Sequence, residues 1–359
     1  MIINSNELTI QFFDAQGGDA IWIRYLGDDG GWHNILIDGG YIGSYSTLFK
    51  PVIDAIAEAE EYIDLWVITH VDLDHIGAIV SFTKDLTIKE KGKLVRSYWF
   101  NHATYKIPDS NSSGKVGYKQ GIDLRTYLAD INKLAIEQIT TMTGTIEFNG
   151  LQLTVLSPTQ DKIAAADFAW IQKEKNASIK MARKESDHHK KIEDFIGNEF
   201  EENGDVINGS SIAFILNYKG IAGLFLADAH PTDITNSLKK IGYTSECPLF
   251  LSFVKVSHHG SKYNTSPELL TLMRTSVYVI SANGISHKHP DKETLARILR
   301  YHSNIGQPAT LVFTSSTRQI KSLFDVDENP QERYNFKQVF IEDGQSQTTL
   351  SYLPITVNL

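Results

Sequence analysis

Within six positions the chain places four side chains that bind metal ions, in the string His70-Val71-Asp72-Leu73-Asp74-His75. Imidazole nitrogens and carboxylate oxygens at this density suit a divalent cation, or a pair of them. Carboxylates this close repel one another unless a cation lies between them. The plainer alternative is a polar turn whose aspartates cap a helix. Two histidines and two aspartates in one turn favour the metal site. The preceding run Leu65-Trp66-Val67-Ile68-Thr69 is short, β-branched and aromatic, so a buried strand is expected there. The cluster then lies at a strand's C-terminal end, where open α/β sheets bind their ligands.

The elements that must hold the cluster follow from periodicity. Residues 8–13 and 20–25 alternate like paired strands, 34–37 continue the sheet, and Gly27-Asp28-Asp29-Gly30-Gly31 is the hairpin turn. Helical spacing covers 48–62 and 121–140, with strands expected at 94–100 and 150–156. The pattern restarts with a hairpin of 211–216 and 223–227 across Lys219-Gly220. Strand, helix and strand follow at 249–256, 266–274 and 277–281. A helix from Asp291 to Tyr301 and a strand at 311–314 complete the series. Two β-rich halves with helices between them predict an α/β chain with two sheets face to face and helices outside.

Residues 159–206 interrupt that order. From Lys173 to Lys191 seven basic residues (Lys173, Lys175, Lys180, Arg183, Lys184, Lys190, Lys191) face three acidic ones, and the acidic Glu199, Glu201, Glu202 and Asp205 follow. A solvated charged helix is the plainer reading, and a lid or partner-binding arm the sharper one. Ser110 to Gly117 is a second polar loop.

The metal cluster resembles the signature of the metallo-β-lactamase fold, H-x-H-x-D-H, with Asp72 where the second histidine stands. Followed by Ile76-Gly77, this variant resembles the hydrolase domain of ComEC-type competence proteins. Gly17-Gly18-Asp19-Ala20-Ile21, Leu36-Ile37-Asp38-Gly39-Gly40, Leu224 to Asp228, Val254 to Lys262 and His289-Pro290 resemble further stretches of that domain, in the same order. The resemblance implies a single αββα four-layer sandwich over residues 1–359, with the charged helical insertion at about 159–206.

The same resemblance implies a site. His70, Asp72 and His102 would hold one ion, Asp74, His75 and His258 a second, and Asp228 would bridge them. His102 is the least secure, with a surface histidine as its alternative. The metals would be Zn²⁺ or Mn²⁺, with Mg²⁺ as a further choice, because the extra carboxylate hardens the site. A hydroxide shared between the ions would be the nucleophile, with Asp74 in the catalytic set. His289 would donate a proton or contact a phosphate, with His287 as a competitor. Ser257, Ser261 and Lys262 surround His258 on a turn suited to a phosphate oxygen. Asp38 is expected to orient a ligand histidine. His259 is expected to pack or to support a ligand rather than to bind metal, because neighbours on an extended chain face opposite sides. His230 is as much a structural as a metal-facing residue. His33, His188, His189 and His302 are read as surface residues.

The implied reaction is phosphodiester hydrolysis, with DNA preferred over RNA as substrate. An ATPase or sensor partner, as in bacterial defence cassettes, is a further implication. The net charge of −9 does not help a protein hold a polyanion. A small-molecule hydrolase of the same fold, acting on a cyclic nucleotide, lactone or thioester, suits that charge better. A non-catalytic metal-binding subunit is the third alternative. Neither G-x-S-x-G nor G-x-x-x-x-G-K-[ST] occurs, which argues against a serine hydrolase or a nucleotide-driven motor. The single Cys247 excludes an internal disulfide and reads as a small filler residue. No run approaches the roughly 18 apolar residues of a membrane span, and the first seven residues lack a signal peptide's regions. A cytoplasmic protein is therefore expected.

Overall fold

Leu65 and Val67 leave their strand on one side, Trp66 and Ile68 on the other, and all four are buried. A strand apolar on both faces needs cover on both, and that requirement sets the layers. The computed structural model of the chain describes residues 7–102, 116–135, 137–175, 185–202, 204–342 and 344–352.

Its first half runs β1 (Leu8–Phe13), β2 (Ala20–Leu26), β3 (Trp32–Asp38), α1 (Lys50–Glu58), β4 (Ile63–Ile68), α2 (Leu73–Lys84), α3 (Lys91–Leu94), β5 (Tyr98–Phe100) and α4 (Val116–Asp130). The chain continues with β6 (Thr145–Phe148), β7 (Leu151–Ser157), α5 (Gln160–Lys175), β8 (Ala213–Tyr218), β9 (Ile221–Phe225) and α6 (Pro231–Lys240). Next come β10 (Leu249–Phe250), β11 (Phe253–Lys255), α7 (Pro267–Thr271), β12 (Met273–Arg274), β13 (Val277–Ile280) and α8 (Lys292–Asn304). The last elements are β14 (Ala309–Phe313), α9 (Arg318–Lys321), α10 (Pro330–Arg333), β15 (Phe336–Phe340) and β16 (Gln347–Tyr352).

One sheet has the order β16-β1-β2-β3-β4-β5 and the other β15-β14-β13-β11-β9-β8-β7-β6. Ile10, Ile23, Ile35, Leu65 and Val67 of the first meet Leu153, Phe214, Leu216, Phe225 and Phe253 of the second in the central layer. Trp22, Leu36, Trp66 and Ile68 turn outward onto Val52, Ile53, Ile79, Phe82 and Leu128 of α1, α2 and α4. Leu224, Val254 and Ile280 turn the other way, onto Ile234, Leu238, Leu295 and Leu299 of α6 and α8. This is the αββα metallo-β-lactamase sandwich that the sequence predicts. The parallel strands β4, β9, β11 and β13 send their C-terminal ends toward the residues discussed below.

Several boundaries differ from the periodicity. The helix read over 121–140 stops at Asp130, because Asn132 takes a left-handed conformation (φ 56°) and Lys133 N–H bonds back to Leu128. The strand read over 249–256 splits in two: β10 pairs with β12, while β11 pairs with β9 and β13. The polar loop from Ser110 lies outside the described residues up to 115, and Val116 opens α4. Lys180, Arg183 and Lys184 also lie outside them. The described residues that follow them are anchored: Asp187 accepts from the amides of Lys292 (2.8 Å) and Glu293 (3.1 Å) at the start of α8.

Four residue readings are corrected. His302 is buried on the inner face of α8, with Nε2 2.9 Å from the Tyr278 hydroxyl. His33 is buried between Asp29 and Asp64, at 3.0 and 3.1 Å. His188 is half-buried against the Pro290 carbonyl, whereas His189 is exposed as expected. Cys247 is exposed and fills no gap. No described helix is long and apolar enough to cross a membrane.

The His302 contact generates a test. His302→Ala removes a buried ring and leaves the Tyr278 hydroxyl unpaired, so it should lower unfolding free energy by about 1–3 kcal/mol. His189→Ala should stay within about 0.5 kcal/mol. Urea titrations of both variants check this.

Candidate metal centre

The site is built where the chain leaves β4. Thr69, the next residue, donates its amide to Asp38 Oδ1 and its hydroxyl to Asp38 Oδ2, both at 2.8 Å. Asp38 ends β3 with a left-handed backbone (φ 52°) and is fully buried. Its Oδ2 also lies 2.8 Å from His75 Nδ1, which is the orienting role expected of it. Asp72 then forms the N-cap position of α2, and Asp74 and His75 occupy the first turn. The β1–β2 turn presses on this helix start. A Cβ on Gly18 would come within 2.1 Å of the Asp74 carbonyl oxygen, so only glycine fits there.

From the second sheet come Asp228, after a left-handed Ala227 (φ 45°), and the turn Ser257–Gly260 after β11. In that turn His258 (φ 47°) and His259 (φ 54°) are both left-handed. The backbone is not extended, so the alternation argument does not apply and both rings face the cluster. His259 is therefore a residue that sequence reasoning missed. The paired His-His before a glycine was the available signal.

Four imidazoles share one arrangement. His75 Nδ1 is held by Asp38. His70 Nδ1 lies 3.0 Å from the Thr69 hydroxyl, whose own proton goes to Asp38. His258 Nδ1 lies 3.1 Å from Asn264 Oδ1, and Asn264 is fixed by donating to the Asp228 and Ala229 carbonyls. His259 Nδ1 lies 2.9 Å from the Ser281 carbonyl. An oxygen acceptor at each Nδ1 keeps the proton there and leaves Nε2 with its lone pair.

The four Nε2 atoms converge on Asp228. Oδ2 of Asp228 is 3.8 Å from His70 and 3.6 Å from His258. Oδ1 is 3.5 Å from His75 and 3.8 Å from His259. Asp74 Oδ2 adds a contact of 3.3 Å to His259 Nε2, and Asp72 Oδ2 stands 3.8 Å from His70 Nε2. One carboxylate thus faces two groups: His70, His258 and Asp72 on one side, and His75, His259 and Asp74 on the other.

This placement departs from the motif-based grouping. His258 joins the His70 side, and His259 takes the place expected for His258. His102 instead sets Nε2 3.3 Å from the Ala135 carbonyl. His289 is buried behind His258, ring centroids 5.3 Å apart, with Nδ1 3.7 Å from Asp291. Ser257 is buried and donates to the Ala229 carbonyl. Ser261 is buried in the same turn, with its amide on the His258 carbonyl. Lys262 lies 3.8 Å from Glu293. His230 is buried away from the cluster, with Nδ1 3.0 Å from Lys162.

Other contributors were not singled out by the sequence. Asn208 sets its amide 3.2 and 3.4 Å from the two ring nitrogens of His258. Beneath the cluster Lys255 and Asp19, both buried, pair at 2.7 Å and link the two sheets.

The buried carboxylates and imidazoles shift one another, and Asp228 with its neighbours raises His75 and His259 against burial. Burial opposes ionisation of Asp228, yet His258, His75, His259 and His70 hold it well below the usual carboxylate range. Asp74 is likewise held low, against burial, by the neighbouring His259 and His75. Burial and the neighbouring His75 push His70 down to about 3. Desolvation at the cleft and the carboxylates of Asp74, Asp205 and Asp228 push Asp72 up to about 7.

The residues fit a divalent cation. His70 Nε2 and Asp228 Oδ1 are buried without a hydrogen-bond partner, a costly state for polar atoms. His75 and His259 point Nε2 at each other across 3.3 Å, two lone pairs that a cation between them would satisfy. The donors are nitrogen and oxygen only, a set that suits Zn²⁺ or Mn²⁺.

Comparison with known proteins agrees with this chemistry. Residues 15–153 match the family model of the Metallo-beta-lactamase superfamily, whose members are mostly metal-dependent hydrolases. No curated protein sequence matches significantly. Among solved structures, a CmlA beta-hydroxylase mutant is similar at 12% identity and TM-score 0.41, over 98% of this chain and 55% of its own. This chain thus spans about half the length of that enzyme. A protein of unknown function from Enterococcus faecalis is similar at 8% identity and TM-score 0.27, over 93% of this chain and 76% of its own.

The Asp38 contact generates the second test. Asp38→Asn keeps the shape but removes the carboxylate that fixes His75, so metal affinity should fall about 10–100-fold. Competition with a chelating dye measures it, and unchanged affinity would refute the orienting role.

Proposed function

We propose that this metal-dependent hydrolase of the metallo-β-lactamase fold is a phosphodiesterase acting on nucleic acid, DNA in preference to RNA. The observation that carries metal-dependent hydrolysis is the convergence of four Nδ1-anchored imidazoles on Asp228. His70, His258 and Asp72 would hold one cation, His75, His259 and Asp74 a second, with Asp228 shared. Bound there, such cations lower the pKa of a water molecule and offset charge on an attacked ester.

The chain's own residues do the rest. Asp38, Thr69, Asn264 and the Ser281 carbonyl hold the four imidazole tautomers. The Lys255–Asp19 pair keeps the two sheets in register below them. His289, beside His258, is the group we assign to protonate the leaving oxygen. The phosphodiester itself is supported by sequence: Asp72 within the first motif, the Val254 to Lys262 stretch and His289-Pro290 all follow the ComEC-type pattern.

One observation favours a second reading. The net charge of −9 and the acidic Asp72 and Asp205 at the cleft weaken the hold on a long polyanion. A cyclic nucleotide, lactone or thioester would not meet that penalty.

A substrate panel separates the two. Protein loaded with Mn²⁺ or Zn²⁺ is assayed on bis(p-nitrophenyl) phosphate, single-stranded DNA, duplex DNA, RNA, a lactone and a thioester. Metal-dependent cleavage of the phosphodiesters is expected, falling to background in Asp228→Ala. Turnover of the lactone or thioester alone would overturn the proposal.

A further inference from the structure

Two loops meet over the carboxylate edge of the centre. The first carries Tyr41 and Ile42 and is pressed onto α2: a Cβ on Gly77 would come within 2.2 Å of the Ile42 amide nitrogen. The second runs from Asn283 to His289. Asn283 Oδ1 accepts from the amides of Ile285 (2.9 Å) and Ser286 (2.8 Å), and its Nδ2 donates to the Gln16 carbonyl at 2.6 Å. The Ser286 hydroxyl also donates to Gln16, at 2.9 Å. The Tyr41 phenol reaches the Ser286 side chain and lies in the field of Asp74 and Asp72. Every polar group named here is engaged, so both loops are held in place.

Two large apolar side chains are left open on these loops. Ile42 is 51% exposed and Ile285 52% exposed. Single exposed isoleucines are ordinary. These two come from different loops, one pressed onto α2 and the other leading into His289 beside His258, and exposed apolar side chains on loops next to a site mark a binding surface. His287 and Lys288 follow directly on the second loop. Both are left-handed, at φ 50° and 63°, a conformation that costs non-glycine residues energy and collects at functional sites. His287 is exposed, and its ring lies parallel to that of His289, centroids 6.5 Å apart.

We propose that Tyr41, Ile42 and Ile285 form a platform for the nucleobase beside the scissile phosphate, with His287 and Lys288 facing the adjoining phosphate. This rests on the phosphodiesterase reading. An apolar platform followed by an imidazole and a lysine matches the order of parts in a nucleotide, and a flat base of any sequence can lie against it. It also lets an acidic protein gain grip from base contacts where phosphate contacts are few.

The test compares two diesters with the same leaving group, using the full chain loaded with Mn²⁺. Thymidine 5′-(p-nitrophenyl) phosphate should exceed methyl p-nitrophenyl phosphate in kcat/KM by about tenfold or more. By calorimetry, thymidine monophosphate should bind about tenfold more tightly than methyl phosphate. Both preferences should collapse toward one in Ile42→Ser/Ile285→Ser. Both side chains are exposed, so the unfolding midpoint and metal content of this variant serve as its fold control. Equal binding of the two phosphates by the unaltered protein would overturn the platform, as would a preference kept by the variant. If neither diester is turned over, the phosphodiesterase reading fails, and the binding comparison still decides the platform.

Discussion

A buried carboxylate that faces four imidazoles is the constraint on which the rest of this structure depends. Asp228 lies within 3.5–3.8 Å of Nε2 of His70, His75, His258 and His259. With each Nδ1 holding its proton, the Nε2 lone pairs and the carboxylate are all acceptors, an arrangement that suits a cation among them and requires each ring to be turned the right way. Each ring is therefore tied at Nδ1, by Asp38, Thr69, Asn264 or the Ser281 carbonyl. These ties come from strand ends of both sheets. The αββα sandwich matters because it brings the C-terminal ends of β4, β9, β11 and β13 to one place, at backbone positions that the core makes rigid.

Much of this was legible in the chain. Strand and helix periodicity located most elements, since the alternation of Leu65, Trp66, Val67 and Ile68 reports a doubly covered strand directly. The dense cluster from His70 to His75, and the polar ends of the apolar runs reaching Asp228 and His258, marked the site. What failed depended on local backbone or on distant partners. His259 was set aside on an alternation rule that holds for extended chain, whereas it sits in a turn of left-handed residues. His302 looked like a surface residue because its partner, Tyr278, lies on a different element. The edge strand β15 and the pairing of β16 with β1 carry half-exposed patterns, and β16 joins the opposite end of the chain. No short window contains that pairing.

The inserted segment divides in the same way. Its charge suggested a free arm, but its described C-terminal part caps α8 through Asp187, and Ile192 N–H bonds to Asp327, which also pairs with the buried Lys292. This part is therefore joined to the segment that carries His289. Nearer the cleft, Asn208 touches His258 and Asp205 adds to the field on Asp72. A charge count along the chain registers none of these contacts, because each joins residues far apart in sequence.

The central claim is that two histidines from one turn, His258 and His259, serve opposite sides of the Asp228 carboxylate. Anomalous-difference maps from crystals of the protein purified without chelator address it directly. Two peaks flanking Asp228 are expected, one bonded by Nε2 of His70 and His258 and the other by Nε2 of His75 and His259. A single peak with His259 turned away from it, or none after soaking with Mn²⁺ or Zn²⁺, would contradict it.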